Sequence, residues 1–213
     1  MSIRNQESGP AEHWERIYQT KRDEELIWFE ASPTISLAML DAAGMTRESC
    51  VLDVGGGSSR LIDALLARGM RCLAVLDVSG AALRRAQSRL GDAATIPTWI
   101  EADVTGDWSL EPMDIWHDRA VFHFLVSAED RRRYVTHLKT VVKPGGTAII
   151  ATFAPGGPEK CSGLQVTRYS AELLAETLGG GFEQKESRRH EHRTPSGAGQ
   201  AFLYSRFVRI PNS

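Results

Sequence analysis

The sequence has little cysteine, almost no net charge and no long apolar run, and each shortage removes a class of protein from consideration. Only three cysteines occur in 213 residues, Cys50, Cys72 and Cys161. They have no CxxC spacing, and the first two fall in apolar runs that read as strands, so neither a disulfide framework nor a structural zinc site is expected. A formal net charge of −2, with acids and bases interspersed, offers no electrostatic footprint for nucleic acid or an acidic membrane surface. No segment is apolar for the length that spans a bilayer, and the opening residues Met1 to Pro10 lack the apolar run of a secretion signal. The expectation is a cytoplasmic protein without nucleic-acid or membrane partners, its oligomeric state open. There is no internal repeat and no low-complexity tract.

What is present suffices for one substantial core, since 42% of the residues are hydrophobic. Trp14, Ile17 and Tyr18 recur at helical spacing within residues 11–20, and Pro33 opens a second helical pattern running toward Gly44. After this helical preface the pattern alternates. Strands are expected over 50–54, 72–76, 98–102, 113–116 and 147–153, with helices over 58–68, 81–90 and 128–142 among them, an order that gives a parallel sheet. Ser170 caps a further helix through Leu178. Two β-like stretches, 182–192 and 200–210, flank the turn-rich segment 194–199 and read as an antiparallel hairpin closing the sheet. Residues 154–169 form the longest loop, and a long loop after a central strand usually serves function.

In an open α/β sheet, ligands bind beyond the carboxyl ends of the strands, so the first strand–helix turn, Val51-Leu-Asp-Val-Gly-Gly-Gly-Ser-Ser59, is the expected ligand site. Gly55, Gly56 and Gly57 allow a sharp turn and a close backbone approach. A dinucleotide turn requires Gly-x-Gly-x-x-Gly, and Arg60 stands where the third glycine belongs. Asp53 precedes the glycines, Asp77 ends the second strand where an acid accepts both hydroxyls of a ribose, and Asp103 ends the third where it meets the amine of adenine while Val104 covers a ring face. Each acid alone is as readily a strand-end or capping residue. Together they describe an adenosine site with an amino-acid tail.

At these residues the sequence resembles the class I methyltransferases: Val51-Leu-Asp-Val-Gly-Gly-Gly57, Val75-Leu-Asp-Val78, Ala102-Asp-Val104 and Lys143-Pro-Gly-Gly146 match that family's motifs in order. The resemblance implies a doubly wound, mostly parallel seven-stranded sheet with a C-terminal antiparallel hairpin, preceded by an N-terminal helical cap over residues 1–45. It also implies S-adenosylmethionine as cofactor, held by Asp53, Gly55, Gly57, Asp77, Val78, Asp103 and Val104, with Asp118 facing its methionine part and Trp28 folding over its sulfonium. Ser59 departs from the family, many of whose members carry glycine there.

The acceptor side is less defined. His117, Asp118, Arg119 and His123 concentrate after the fourth strand, where the transferable methyl belongs. Asp118, Arg119 and His123 are the catalytic candidates, with His123 as a neutral base or orienter; alternatively Asp118 and Arg119 simply form an ion pair that shapes the loop. Tyr18, Lys21, Cys161, His192 and Gln200 are candidates for contacting substrate, Arg193 lying beside the last two. Cys161 reads foremost as a plain loop cysteine, Trp14 as core, and the pair His190 and His192, with no third ligand in view, as structural rather than metal-binding. The segments around Tyr18, 116–125 and 157–163 are similar to bacterial thiol methyltransferases and to eukaryotic elongation-factor or citrate-synthase lysine methyltransferases. A small-molecule acceptor, foremost a thiol or sulfide, is expected, with a protein lysine or a non-catalytic adenosine or NAD module as alternatives.

Overall fold

The computed structural model describes residues 9–211. Of the expected cap, residues 1–8 lie outside that range.

Helix α1 (Pro10–Thr20) and α2 (Thr34–Ala42), joined through a 3-10 turn at Asp23–Glu25, precede β1 (Val51–Val54). Then follow α3 (Leu61–Ala67), β2 (Leu73–Asp77), α4 (Gly80–Leu90), β3 (Thr98–Glu101), β4 (Met113–Arg119), α5 (Ala128–Val141) and β5 (Val142–Phe153). The chain closes with a small hairpin, β6 (Lys160–Cys161) and β7 (Leu164–Gln165), helix α6 (Ala171–Leu178), and the long pair β8 (Phe182–Arg193) and β9 (Gly199–Arg209). The seven-stranded sheet has the order β3-β2-β1-β4-β5-β9-β8. Strands β1 to β5 pair in parallel, while β9 is antiparallel to both β5 and β8.

Apolar side chains cover both faces, as a doubly wound sheet requires. Trp116 and Phe207 meet Tyr134 and Leu138 of α5 and Leu174 of α6 on one face, and Ile115, Phe153 and Phe202 meet Met39 of α2 and Leu61 and Leu65 of α3 on the other. Among the described residues no helix is long and apolar enough to cross a membrane.

Three expectations are corrected. Cys50 and Cys72 form a disulfide. They immediately precede β1 and β2, which run side by side with Val51 opposite Leu73, so the register itself brings the sulfurs together. The loop after β5 is not structureless, because Ser162 and Gly163 turn with positive φ and let β6 fold back on β7. Strand β4 runs to Arg119 rather than stopping at Trp116.

Candidate active site

The glycine turn follows from its backbone. Gly55 and Gly57 have φ of +64° and +42°. A Cβ on Gly57 would lie 2.7 Å from Asp77 Oδ2 and 3.0 Å from the Tyr18 hydroxyl, so the glycine is what lets that acid and that phenol close on the turn. Across the carboxyl ends of the strands lies a cavity of about 460 Å³. Asp77, Val78, Asp103 and Val104 line its β2–β3 end, Gly55, Ala120 and Val121 its middle, and Trp14, Phe124, Phe153, Cys161, Gln200 and Phe202 the end above β4, β5 and β9.

The acids are presented with acceptor capacity to spare. Asp77 accepts the Ser79 N–H through Oδ1 at 2.8 Å, and Asp103 accepts the Thr105 N–H and hydroxyl through Oδ1, both at 2.7 Å. Burial pushes the Asp77 carboxyl up to about 7, the Ser79 N–H opposing and the charges of Asp53 and Glu15 adding to it. A buried acid with one unspent oxygen at a strand end suits a ribose, whose hydroxyls donate to it, and the residues present fit an adenosine group.

Asp53 belongs to a buried relay: its Oδ1 meets His117 Nδ1 at 2.8 Å, and His117 Nε2 meets the Ser36 hydroxyl at 2.9 Å. These three line a second hollow of about 60 Å³ on the α2 side of the glycine turn. Tyr18, Trp28, Gly55 and Arg119 line both spaces. Trp28 stands edge-on to Trp14 at 5.5 Å and to Tyr18 at 6.0 Å.

The residues after β4 do not gather as the sequence suggested. Asp118 and Arg119, being consecutive on a strand, point to opposite faces, so no ion pair joins them. Asp118 is turned into the α5 side and lines neither cavity: it accepts from Tyr134 Oη at 2.6 Å, Val121 N at 2.8 Å and Phe122 N at 3.1 Å, and burial still raises it to about 6. Arg119 spends its guanidinium elsewhere, donating to Tyr204 Oη at 3.0 Å, the Trp28 carbonyl at 3.0 Å and Glu30 at 2.8 Å. It is a latch on the strap of residues 27–30 that walls the cavity. We expect Arg119→Met to cost about 2–3 kcal/mol, because Glu30 keeps a largely buried charge without its partner, and a urea midpoint equal to that of wild type would contradict this.

His123 lines neither cavity. Its fully buried ring accepts the Phe153 N–H at Nδ1, and burial lowers its pKa to about 3, so it is neutral. Of the acceptor-side candidates, Tyr18, Gln200 and Cys161 line the cavity, Cys161 as a neutral thiol that burial raises to about 11. Lys21 does not: α1 ends there and its side chain is exposed. His192 does not either, since its Nε2 meets the Ile27 carbonyl at 2.8 Å and its Nδ1 lies 3.4 Å from Glu30. The aromatic walls Phe124, Phe153 and Phe202 were not anticipated, although Phe153 and Phe202, paired across β5 and β9, sit where the sheet ends. Nor was Ala120, held at φ +74° at the turn after β4.

A profile described as "Methyltransferase domain" matches residues 51–146. The chain is 34% identical over 148 residues to an uncharacterized methyltransferase of Mycobacterium tuberculosis, covering 68% of this chain and 71% of that one. It is 28% identical over 159 residues to the EEF1A lysine methyltransferase 2 of Danio rerio, covering 68% of each. The solved 1,6-didemethyltoxoflavin-N1-methyltransferase of Burkholderia thailandensis, with S-adenosylhomocysteine bound, superposes with a TM-score of 0.73 at 19% identity over 94% of this chain and 87% of that one. A nicotinamide-dependent or non-catalytic module is thereby set aside. With the glycine turn, the strand-end acids and the sheet order in place, the chain belongs to the class I methyltransferases, enzymes whose cofactor is S-adenosylmethionine.

Proposed function

We propose that the protein methylates the sulfur of a small thiol or sulfide. In this reading Asp77 and Val78 hold the ribose and Asp103 and Val104 the adenine. Gly55, Gly57 and Asp53 receive the amino-acid end, and Trp28 lies over the sulfonium. Residues 1–45 act as the cap, and the acceptor enters above β4, β5 and β9. The carrying observation is that, among the described residues, this end of the cavity presents amides, a neutral thiol and aromatic rings, and no histidine or lysine lines it. A thiol, ordinarily near pKa 8.5, ionises appreciably by itself at neutral pH, whereas a lysine ammonium near 10.4 needs a base.

When bound, the cofactor supplies an electrophilic methyl on a sulfonium. With a thiol acceptor, the carbon–sulfur bond formed would replace the sulfonium–methyl bond, whose electron pair would stay with S-adenosylhomocysteine while the thiol's proton would pass to water. The chain's part is alignment and exclusion of water. His123 enters as a positioning residue, fixing the Phe153 backbone. His123→Ala is expected to lower turnover about tenfold while S-adenosylhomocysteine affinity stays within twofold, and full turnover would remove it from the scheme.

The test is an acceptor screen with methyl-labelled cofactor against thiols, hydrosulfide, amines, phenols and a protein extract. Labelled thioethers are expected. The likeness to the zebrafish enzyme keeps lysine methylation as the second reading, and label confined to protein lysines would establish it instead.

A further inference from the structure

The acceptor end of the cavity has a composition that says more than the absence of a base. Its walls are aromatic pairs set edge to face: Trp14 with Phe124, 5.0 Å between centroids at 74°, and Phe153 with Phe202, 4.8 Å at 66°. Such walls favour a flat ring, which meets each of them either by stacking or by its edge. The Arg119 guanidinium lies 5.0 Å from the centre of the Phe202 ring, gives three of its five N–H groups to Tyr204, Trp28 and Glu30, and has its charge paired with Glu30. Asp77 and Asp103 belong to the opposite end, and the remaining acid of the cavity, Asp130, accepts the Ser127 hydroxyl at 2.6 Å. With the Arg119 charge answered by Glu30, an acceptor carrying an anionic group besides its reacting atom would lose its water here without gaining a free counter-charge.

One polar feature stands out against these walls. Gln200 is 8% exposed and lines the cavity, and its side-chain amide has no hydrogen-bonding partner among the described residues. Its amide atoms are not sealed in the core but open to the cavity, so a ligand with a complementary polar edge can pair with them in place of water.

Resting on the assignment of this end of the cavity to the acceptor, we infer that the acceptor is an aromatic or heteroaromatic ring compound with no anionic group besides its reacting atom. Its ring stands between Trp14, Phe124, Phe153 and Phe202, and Gln200 reads a polar group on its edge. Gln200 and Phe202 are then specificity-determining residues.

Four probes separate this inference from the choice of a sulfur acceptor: thiophenol, 2-mercaptopyridine, glutathione and 8-hydroxyquinoline. For wild type, kcat/KM is expected to be at least about tenfold higher for either ring thiol than for glutathione. In Gln200→Leu the KM for 2-mercaptopyridine should rise about tenfold, and that for thiophenol clearly less, with S-adenosylhomocysteine affinity retained. Phe202→Leu, a milder change than alanine in a buried wall, should raise both. If only 8-hydroxyquinoline is methylated, the sulfur reading fails and the ring inference stands. If glutathione matches thiophenol, the ring inference fails and the sulfur reading stands. Binding supplies a readout independent of turnover: thioanisole added to the S-adenosylhomocysteine complex should change the tryptophan fluorescence to which Trp14 contributes. No turnover of any ring compound together with no fluorescence change would overturn the inference.

Discussion

Replacing Asp77 by alanine is expected to weaken S-adenosylhomocysteine binding about 100-fold. Two ribose hydroxyls donating to one buried carboxylate form charge-assisted bonds of about 1.5–3 kcal/mol each. Loss of both, partly offset by water entering the space, leaves about 3 kcal/mol, or two decades in Kd. The same acid gives the binding a pH dependence. Burial raises its carboxyl to about 7, while an ordinary aspartate titrates near 3.8. Between those values the cofactor-free folded protein holds a proton that the unfolded chain has released, so Asp77 opposes folding increasingly as pH rises through that window. The ribose needs the ionised form. Cofactor affinity should therefore climb from pH 6 to pH 8, by up to tenfold per unit below the pKa, and Asp77→Asn should flatten the profile. Calorimetric titration at several pH values decides it; a wild-type profile as flat as the variant's would show that Asp77 does not receive the ribose.

The second large effect belongs to the disulfide. Cys50 and Cys72 close a loop with a sequence separation of 22 that contains β1, the glycine turn and α3. In the chain-entropy account such a crosslink is worth about 3 kcal/mol, and for a protein of this size that corresponds to roughly 6–12 °C in Tm. Dithiothreitol should lower the melting temperature of wild type by that amount. The Cys50→Ser, Cys72→Ser double variant should melt at the lower temperature with or without reductant. Cys72 is exposed, so reductant has direct access. A wild-type melt indifferent to dithiothreitol would mean that the bond contributes nothing in solution. The cytoplasmic setting read from the sequence, which we retain as a proposal, would place this bond among reducing thiols.

The strands, the helix order and the placing of Asp53, Asp77 and Asp103 near strand ends were legible because they depend on local periodicity and on one topological rule, that ligands gather where parallel strands end. Orientation was not. With β4 taken to stop at Trp116, nothing indicated which way Asp118 and Arg119 would point, and a register irregularity between Met113 and Ile115 further hides the alternation. The long-range pairings were equally hidden: Ser36 meets His117 across 81 residues, and Glu15 reaches over from α1 to accept the Ser79 hydroxyl and the Ala81 N–H at the start of α4. The disulfide had a usable signal. Each cysteine stands one place before a strand, and consecutive strands of a βαβ unit commonly lie side by side.

The reversal of β9 has a consequence for how the enzyme could diversify. Because this strand runs against the others, its early residues Gln200 and Phe202 arrive at the edge where the parallel strands finish. Most of the walls that the proposal assigns to the methyl acceptor, from Phe153 through Cys161 to Phe202, thus lie after the stretch matched by the family profile, residues 51–146, and Trp14 lies before it. On the proposed assignment, the methyl-donor and methyl-acceptor sites are encoded in largely separate portions of the gene. Drift or recombination in the flanking portions can retune what is methylated while the donor apparatus is inherited unchanged.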